Sequence, residues 1–433
     1  MRWWWSRLSS SLWFVPGVIV FAAVALAVLL IDASIPLGGR PAAEWPRVFG
    51  AGADGSRGML TAVATSMITV AGVVFSITIV TLSLAASQYS SRVLRNFMND
   101  RANQAVLGVF VGIFAYCLIV LRTIRGGDEG QFVPALAVLG AVVLAFVGIG
   151  FLVYFIHHIA TAIQASHILA TVSADTLRTV DRMLPEPFAG DGSGPDPARA
   201  PASGRTVRAD KSGYVQTVDE EGLLRLASEE GVTIRMARGV GDFVIEDGPL
   251  LALDGDGEPD ETLADRTRGL VGIGRQRTMD QDVGFGIRQI VDVALKALSP
   301  GINDTTTAVM CLDYLTAILS RISGRQIPPR SRVEGGTLRL TLCPLSYAQM
   351  VDEGFDQIRH HGEGNVAIAA RLLWALETLT ALVPNGERRE VIHRQAGALL
   401  ESITRAIIPD GERRALEARA AALFARSAGT TAV

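Results

Sequence analysis

Short polar side chains follow a sharp break between two apolar segments, in the stretch SPGINDTTT at residues 299–307. Pro300 cannot continue the preceding helix, Gly301 permits a turn, and a following Asn or Asp can cap the next helix. The N–H groups at a helix start also favour an anion, whereas a carboxylate there favours a cation or a mixed polar ligand. The pattern therefore predicts either a structural turn or a ligand site that comprises Asn303, Asp304, Thr305 and Thr306.

A second charged cluster, RQRTMDQD, ends just before the apolar helix that leads into this turn. We expect the cluster to join the turn if that helix folds back. Its charged members are Arg275, Arg277, Asp280 and Asp282.

Three carboxylates, those of Asp280, Asp282 and Asp304, could support hydrolytic or transferase chemistry only with a metal that the sequence does not specify. The chain contains no CxxC, HExxH, Walker loop or nucleophile elbow. Its histidine pairs lack the spacing of metal ligands on one helix face. We therefore predict no enzyme, no cofactor and no metal site.

Small and hydroxyl-bearing residues recur at steps near 3.6 along one apolar segment, so they share one face of a helix. This stripe could allow close packing between membrane helices, or its hydroxyls could line a water-filled path in a ring of subunits. The sequence leaves both interpretations open. The stripe consists of Thr61, Thr65, Thr69, Gly72, Ser76, Ser83 and Ser87.

Basic and amide side chains follow that segment, in SRVLRNFMNDR. Arginines at membrane ends contact lipid headgroups, and in a pore they would form an electropositive mouth that concentrates anions. The residues concerned are Arg92, Arg95, Asn96 and Arg101.

Four apolar segments must position these side chains. The chain has 433 residues, of which 49% are hydrophobic, so it is too apolar for an ordinary soluble protein. About 20 apolar residues cross a hydrocarbon core of about 30 Å. The predicted spans, within a transmembrane domain at 1–158, are 12–31, 59–87, 102–121 and 132–156.

The charges and the cysteines indicate the expected partner of the protein and its cellular compartment. A net charge of −3 gives no basic field for nucleic acid, so the lipid bilayer is the expected partner. An even number of spans places both termini on one side, and arginines are nearly equal in number on the two sides. The arginines before the first span and three widely separated cysteines favour a bacterial inner membrane protein with a cytoplasmic C-terminal region.

The remainder of the chain changes pattern several times. A connecting helix at 159–184 could pack on a sister subunit, and Pro, Gly, Ala and Ser predict a flexible linker at 185–205. Short alternating runs predict a small β-rich module at 206–280 with a barrel-sandwich-like arrangement. Helical periodicity dominates 281–433, apart from one strand at 337–343, so the soluble part is an α/β domain with a helical bundle.

Several stretches together resemble one family, namely FSITIVTLSLAASQYSSRVLRNFMNDRANQ, SGYVQTVD, GDFV and RTMDQDVGFGIRQIVDVALKALSPGINDTTTAVMCLDYL. The family is that of bacterial predicted membrane proteins known as domain of unknown function 2254. This resemblance implies a multi-pass membrane protein with a soluble C-terminal region, and no established activity. The hydroxyl stripe, the basic residues after it and the connecting helix predict a homo-oligomeric, channel-like or transport-related assembly for an ion or small molecule, with a cytoplasmic regulatory domain. The alternative is a membrane-anchored ligand sensor or scaffold without transport.

Overall fold

The computed structural model describes residues 13–36, 52–88, 101–125, 132–162, 164–188, 204–255, 261–383 and 386–428. The chain divides into two compact units, Met1–His167 and Ile168–Val433. We call them the membrane unit and the C-terminal unit.

The described part of the membrane unit contains four helices that are long and apolar enough to cross a bilayer, one for each predicted span. Helix α3 packs against each of the others, and half of its most apolar stretch is buried. The core of this unit therefore lies around α3. The helices are α1 (Phe14–Ser34), α2 (Ala53–Gln88), α3 (Arg101–Thr123) and α4 (Ala135–Ala162).

Sequence spacing explains why α3 is central. Its buried residues Val106, Phe110, Ile113, Cys117 and Val120 recur at alternating steps of four and three, which places them along one continuous seam. On the α1 side, a Cβ added at Gly108 would lie only 2.9 Å from the Pro16 backbone, so glycine permits the close approach.

The C-terminal unit begins within α5 (Ala165–Met183) and continues into two β-sheets. Its larger sheet has the strand order β1-β5-β3-β8-β7 and the smaller one β4-β2-β6. The strands are β1 (Arg205–Arg208), β2 (Gly213–Val218), β3 (Thr233–Met236), β4 (Phe243–Val244), β5 (Pro249–Asp254), β6 (Val271–Gly274), β7 (Ser331–Glu334) and β8 (Thr337–Thr341). Two short helices, α6 (Glu220–Glu229) and α7 (Glu261–Gly269), lie between them in sequence.

The larger sheet draws on a part of the chain that lies beyond the predicted β module at 206–280. The β7–β8 hairpin turns at Gly335 and Gly336, whose φ angles of 58° and 80° suit a two-residue turn. Strand β8 then pairs in parallel with β3, with Ile234 opposite Leu340. The C-terminal unit thus mixes sheets and helices as predicted, while its barrel-sandwich arrangement stays a prediction.

Six further helices complete the described part of the C-terminal unit. Polar side chains at four of their starts accept hydrogen bonds from backbone N–H groups, which fixes where each helix begins. The capping residues are Asp282, Asp304, Ser346 and Asn365. The helices are α8 (Val283–Ala297), α9 (Thr305–Ser323), α10 (Tyr347–His361), α11 (Val366–Leu382), α12 (Glu387–Arg405) and α13 (Asp410–Ala428).

The start of the predicted linker at 185–205 is held against the segment 324–326. The Gln326 N–H donates to the Glu186 carbonyl at 2.9 Å, and the Phe188 N–H donates to the Gly324 carbonyl at 3.0 Å. Residues 189–203 lie outside the described part of the chain. The composition of the linker does not indicate this pairing, because the segment 324–326 lies far away in the sequence.

Candidate functional site

The hydroxyl stripe lies on the exposed face of α2 and takes no part in the packing that the described membrane unit shows. The packed face of the same helix carries Leu60, Ala64, Met67, Ala71 and Val74, all buried. A Cβ added at Gly72 would meet no atom within 4 Å. The exposed stripe residues are Thr61, Thr65, Thr69, Gly72, Ser76 and Ser83, and the side chain of Ser87 lies outside the described residues.

One stripe hydroxyl has a defined orientation. Thr69 Oγ1 donates to the carbonyl of Thr65 at 2.7 Å, which is the usual back-bond of a hydroxyl in a membrane helix. A hydroxyl has a single proton and two lone pairs. Since the proton is already donated, Thr69 presents acceptor lone pairs to whatever lies on the exposed face.

The predicted basic cluster after α2 falls mostly outside the described residues. Arg92, Arg95 and Asn96 belong to the stretch 89–100, which the structure does not describe. Arg101 is the first residue of α3, and it is exposed. Headgroup contact and a pore mouth therefore both stay predictions.

The polar turn before α9 is satisfied by its own hydrogen bonds. Asp304 accepts from the Thr307 N–H at 3.0 Å and from the Thr307 hydroxyl at 2.6 Å. These bonds, the side-chain bond first, lower the pKa of the Asp304 carboxyl below its ordinary value. Asn303 adopts a left-handed φ of 48°, which lets the chain reverse into the helix.

The neighbouring helix start engages the same turn. Asn365 caps α11 through its side-chain oxygen and donates from Nδ2 to Thr305 Oγ1 at 2.9 Å. Thr306 is exposed beside them. The contacts of Asp304 and Thr305 thus have a structural explanation that needs no ligand.

Arg277 and Asp282 form an ion pair at the start of α8. The guanidinium donates from Nε at 2.8 Å and from Nη2 at 2.9 Å to the two carboxylate oxygens, and Asp282 also accepts from the Phe285 N–H. Asp282 is 3% exposed. A Cβ at Gly241, where φ is 91°, would lie 2.6 Å from the carboxylate, so only glycine leaves room for the pair.

The two predicted clusters lie at opposite ends of one helix. Asp282 precedes α8 and Asp304 follows it, and the 15 residues of α8 span about 22 Å at about 1.5 Å per residue. Asp280 is exposed, and its backbone carbonyl accepts from Arg182. Arg275 is also exposed. The structure therefore does not bring these residues together with the turn.

The C-terminal unit contains an open cleft that the sequence did not indicate. It has a volume of about 940 Å³ and lies between the end of α5, the strands β2 and β6, and the segment 326–332, which runs into β7. Its walls are held by specific bonds. Gln281 accepts from the Val218 N–H at 2.8 Å and donates to the Val218 carbonyl at 3.2 Å, and Arg332 pairs with Glu220 at 3.1 Å.

A smaller cavity of about 110 Å³ borders this cleft and shares part of its wall. The shared residues are Met183, Val218, Glu220, Gln281, Pro328 and Pro329. No sequence motif marks either space, because the walls come from segments that meet only in the folded chain. Within the described residues, no group of three or more His, Cys, Asp or Glu side chains could hold a metal ion.

Comparison with known proteins places the chain among predicted membrane proteins. The profile of the predicted membrane protein family DUF2254 matches residues 9–378. Uncharacterised proteins of Mycobacterium tuberculosis (strain H37Rv) and Mycobacterium bovis are each 34% identical over 356 residues, covering 81% of this chain and 68% of theirs. No solved structure matches. The chain therefore belongs to the DUF2254 family of predicted membrane proteins.

Proposed function

We propose that several copies of this protein assemble in the bacterial plasma membrane into a channel-like complex in which the stripe face of α2 lines the path. The observation that carries the proposal is the position of the stripe. Its hydroxyls lie on the face opposite the packed face of α2. On the packed face they would have been shielded from lipid, so their exposed position calls for another partner. Hydroxyls gathered on a subunit-facing or water-facing surface can replace part of an ion's hydration shell.

The orientation of Thr69 supports cations as the transported class. Because its proton is donated to the Thr65 carbonyl, its oxygen offers lone pairs outward. Lone pairs attract a cation and repel an anion.

The C-terminal unit is suited to regulate such a path. Only residues 163 and 164 separate α4 from α5 in the sequence, and most of α5 belongs to the C-terminal unit. Two contacts connect α5 with α8 and the residues before it. Thr179 Oγ1 donates to the Met279 carbonyl at 2.8 Å. Thr176 lies where a Cβ at residue 286 would stand, so only glycine fits at Gly286. A rearrangement near α8 would therefore shift α5, and this movement is the proposed signal for the path. A cytoplasmic position of this unit is part of the proposal.

The test is ion flux into liposomes that contain the purified protein, after equal assembly has been confirmed. Thr69→Leu and Ser76→Leu should each reduce cation flux at least about tenfold, since they replace lining oxygens by hydrocarbon. Phe75→Leu is the control, because Phe75 is exposed on the same helix but lies about 100° from Ser76 and about 120° from Thr69. It should leave flux nearly unchanged.

Two results would contradict the channel. One is a protein that stays monomeric in mild detergent and in bilayers. The other is the absence of flux under every ion gradient tried.

A second candidate function is ligand sensing by a membrane-anchored protein without transport. The cleft and its adjoining cavity favour it, since concave sites with apolar walls and a few polar groups bind small molecules. A protein that binds a ligand in this region yet passes no ions would favour sensing over the channel.

A further inference from the structure

The smaller cavity of the C-terminal unit has a mainly apolar wall. Its wall residues come from the end of α5, from β2 and β3, from the start of α8, and from the segments 327–329 and 342–345. Six of its apolar side chains are buried, so the wall is part of the packed core and is preformed. They are Leu184, Val218, Met236, Val283, Leu342 and Met350.

The charged groups around the cavity are not equivalent. Asp282 is bound to Arg277, and Glu220 is bound to Arg332. Arg238 also borders the cavity and is exposed, and it makes no hydrogen bond or ion pair to any residue that the structure describes. The cavity therefore combines an apolar interior with one positive charge that has no counter-charge among the described residues.

We infer that this cavity binds a small organic anion, in which an apolar group enters the pocket and a carboxylate pairs with Arg238. Arginine presents a planar fork of donors that matches a carboxylate. The volume limits the apolar group. An engineered apolar cavity of about 150 Å³ in another protein holds benzene, so about 110 Å³ suits one small ring or a short branched chain. The inference names the ligand class for the sensing candidate and does not depend on ion flux.

The thiol of Cys343 can report whether this cavity is occupied. Cys343 borders the cavity and is exposed, with its Sγ donating to the Met236 carbonyl at 3.2 Å. The other two cysteines, Cys117 and Cys311, are buried. A molecule in the cavity would cover Cys343 and slow its alkylation, whereas the buried thiols would stay unreactive in the folded protein.

The experiment measures alkylation of Cys343 by N-ethylmaleimide in the full-length protein in detergent, with the modified residue identified by peptide mass spectrometry. Phenylacetate should slow the reaction in a saturable manner. Its neutral counterpart 2-phenylethanol, in which the carboxylate becomes an alcohol, should act only at about tenfold higher concentration, because it loses the charge-assisted bond.

Two substitutions test whether Arg238 binds the carboxylate of the ligand. Arg238→Gln should raise the half-protecting concentration of phenylacetate about tenfold and leave that of 2-phenylethanol unchanged. Arg275→Gln is the control, since Arg275 is exposed and does not border the cavity. Both replaced side chains are exposed, so the variants should fold like the wild type, which circular dichroism would verify.

Each contrary result has a separate meaning. Equal protection by both compounds, or protection by phenylacetate that Arg238→Gln does not weaken, overturns the anion class while ligand sensing survives. Absence of protection by either compound overturns the site itself. Val240→Trp should fill the cavity, since Val240 lies in its wall, so protection that persists in this variant would place the ligand elsewhere and also overturn the inference.

Discussion

The hydroxyl stripe of α2 in the membrane unit and the capping carboxylates of the C-terminal unit have opposite surroundings. Along α2, Thr61, Thr65 and Ser76 lie exposed on the outer face of the helix. In the C-terminal unit, Asp282 and Asp304 are each bound to a helix start, and Asp282 is bound to a guanidinium as well. Polar groups that the fold uses internally are poor candidates for a ligand, whereas an exposed polar face in a membrane helix still needs a partner.

The same contrast distinguishes two arginines of the C-terminal unit. Arg277 is occupied by Asp282, although its sequence surroundings made it a candidate ligand. Arg238 stood in no motif, yet it borders a cavity without a partner in the described chain. Substitutions that separate structural from available polar groups should therefore differ sharply in their effect on stability.

The largest expected effect is that of Asp282→Ala. It would leave Arg277, whose side chain is 23% exposed, without its counter-charge and would remove the cap of α8. Removal of one partner of a buried pair costs about 3–5 kcal/mol. For a unit of this size, that cost lowers the melting temperature by about 6–20 °C, which thermal unfolding of the full-length protein would measure.

Asp280→Ala is the matched control for this variant. Asp280 lies two residues away and is exposed, and its described contact is made by its backbone carbonyl. Its replacement should change stability by less than about 0.5 kcal/mol. Equal losses in the two variants would contradict the structural role of the Arg277–Asp282 pair.

An intermediate effect is expected from a leucine placed on either face of α2. Ala71 is 4% exposed in the packed face, so Ala71→Leu would overfill the core of the membrane unit. Such overpacking costs about 1–3 kcal/mol. At the next residue, Gly72→Leu enters open space within the described unit.

These neighbouring variants separate folding from conduction. Ala71→Leu should lower the melting temperature, whereas Gly72→Leu should preserve the melting temperature and the assembly and reduce cation flux into liposomes, because it places hydrocarbon on the stripe. Unchanged flux in Gly72→Leu would argue that the stripe faces lipid. That result would break the contrast between the two units.

Much of the fold could be predicted because its signals are local. Charge-free runs indicated the four spans, and an Asn or Asp after Pro300-Gly301 indicated the cap that Asp304 forms at the start of α9. Gly335 and Gly336 form the turn of a hairpin, of which the sequence pattern predicts only the strand at 337–343. Its parallel pairing with β3 could not be predicted, since Ile234 and Leu340 are distant in sequence.

The candidate site was less predictable, because contacts between residues that are distant in sequence decide it. Residue type suggested that Arg277, Asp282 and Asp304 bind a ligand, but their role depends on which groups the fold places beside them. The length of α8 keeps Asp282 and Asp304 apart. The cavity at Arg238 has walls from several distant segments, so neither periodicity nor a motif could indicate it.

The smallest effect is expected at the polar turn. Asp304→Ala removes the cap of α9, which should cost about 1 kcal/mol, as measured by thermal unfolding at pH 7. Asp304→Asn keeps a capping oxygen but removes the charge, so at this pH it should cost less than the alanine variant. An alanine variant as stable as the wild type would mean that the turn is held by other contacts.

The dependence on pH tests whether the charge itself matters. Hydrogen bonds from Thr307, chiefly that of its hydroxyl, lower the pKa of Asp304 in the folded protein. A carboxyl with a lowered folded pKa adds stability above its unfolded pKa of about 3.9 and loses that contribution as the pH falls through the folded value. The wild type should therefore exceed Asp304→Asn in melting temperature at pH 6, and the difference should shrink below about pH 4. A difference that stays constant with pH would assign the effect to hydrogen-bond geometry alone, because only an ionised carboxylate can lose its advantage on protonation.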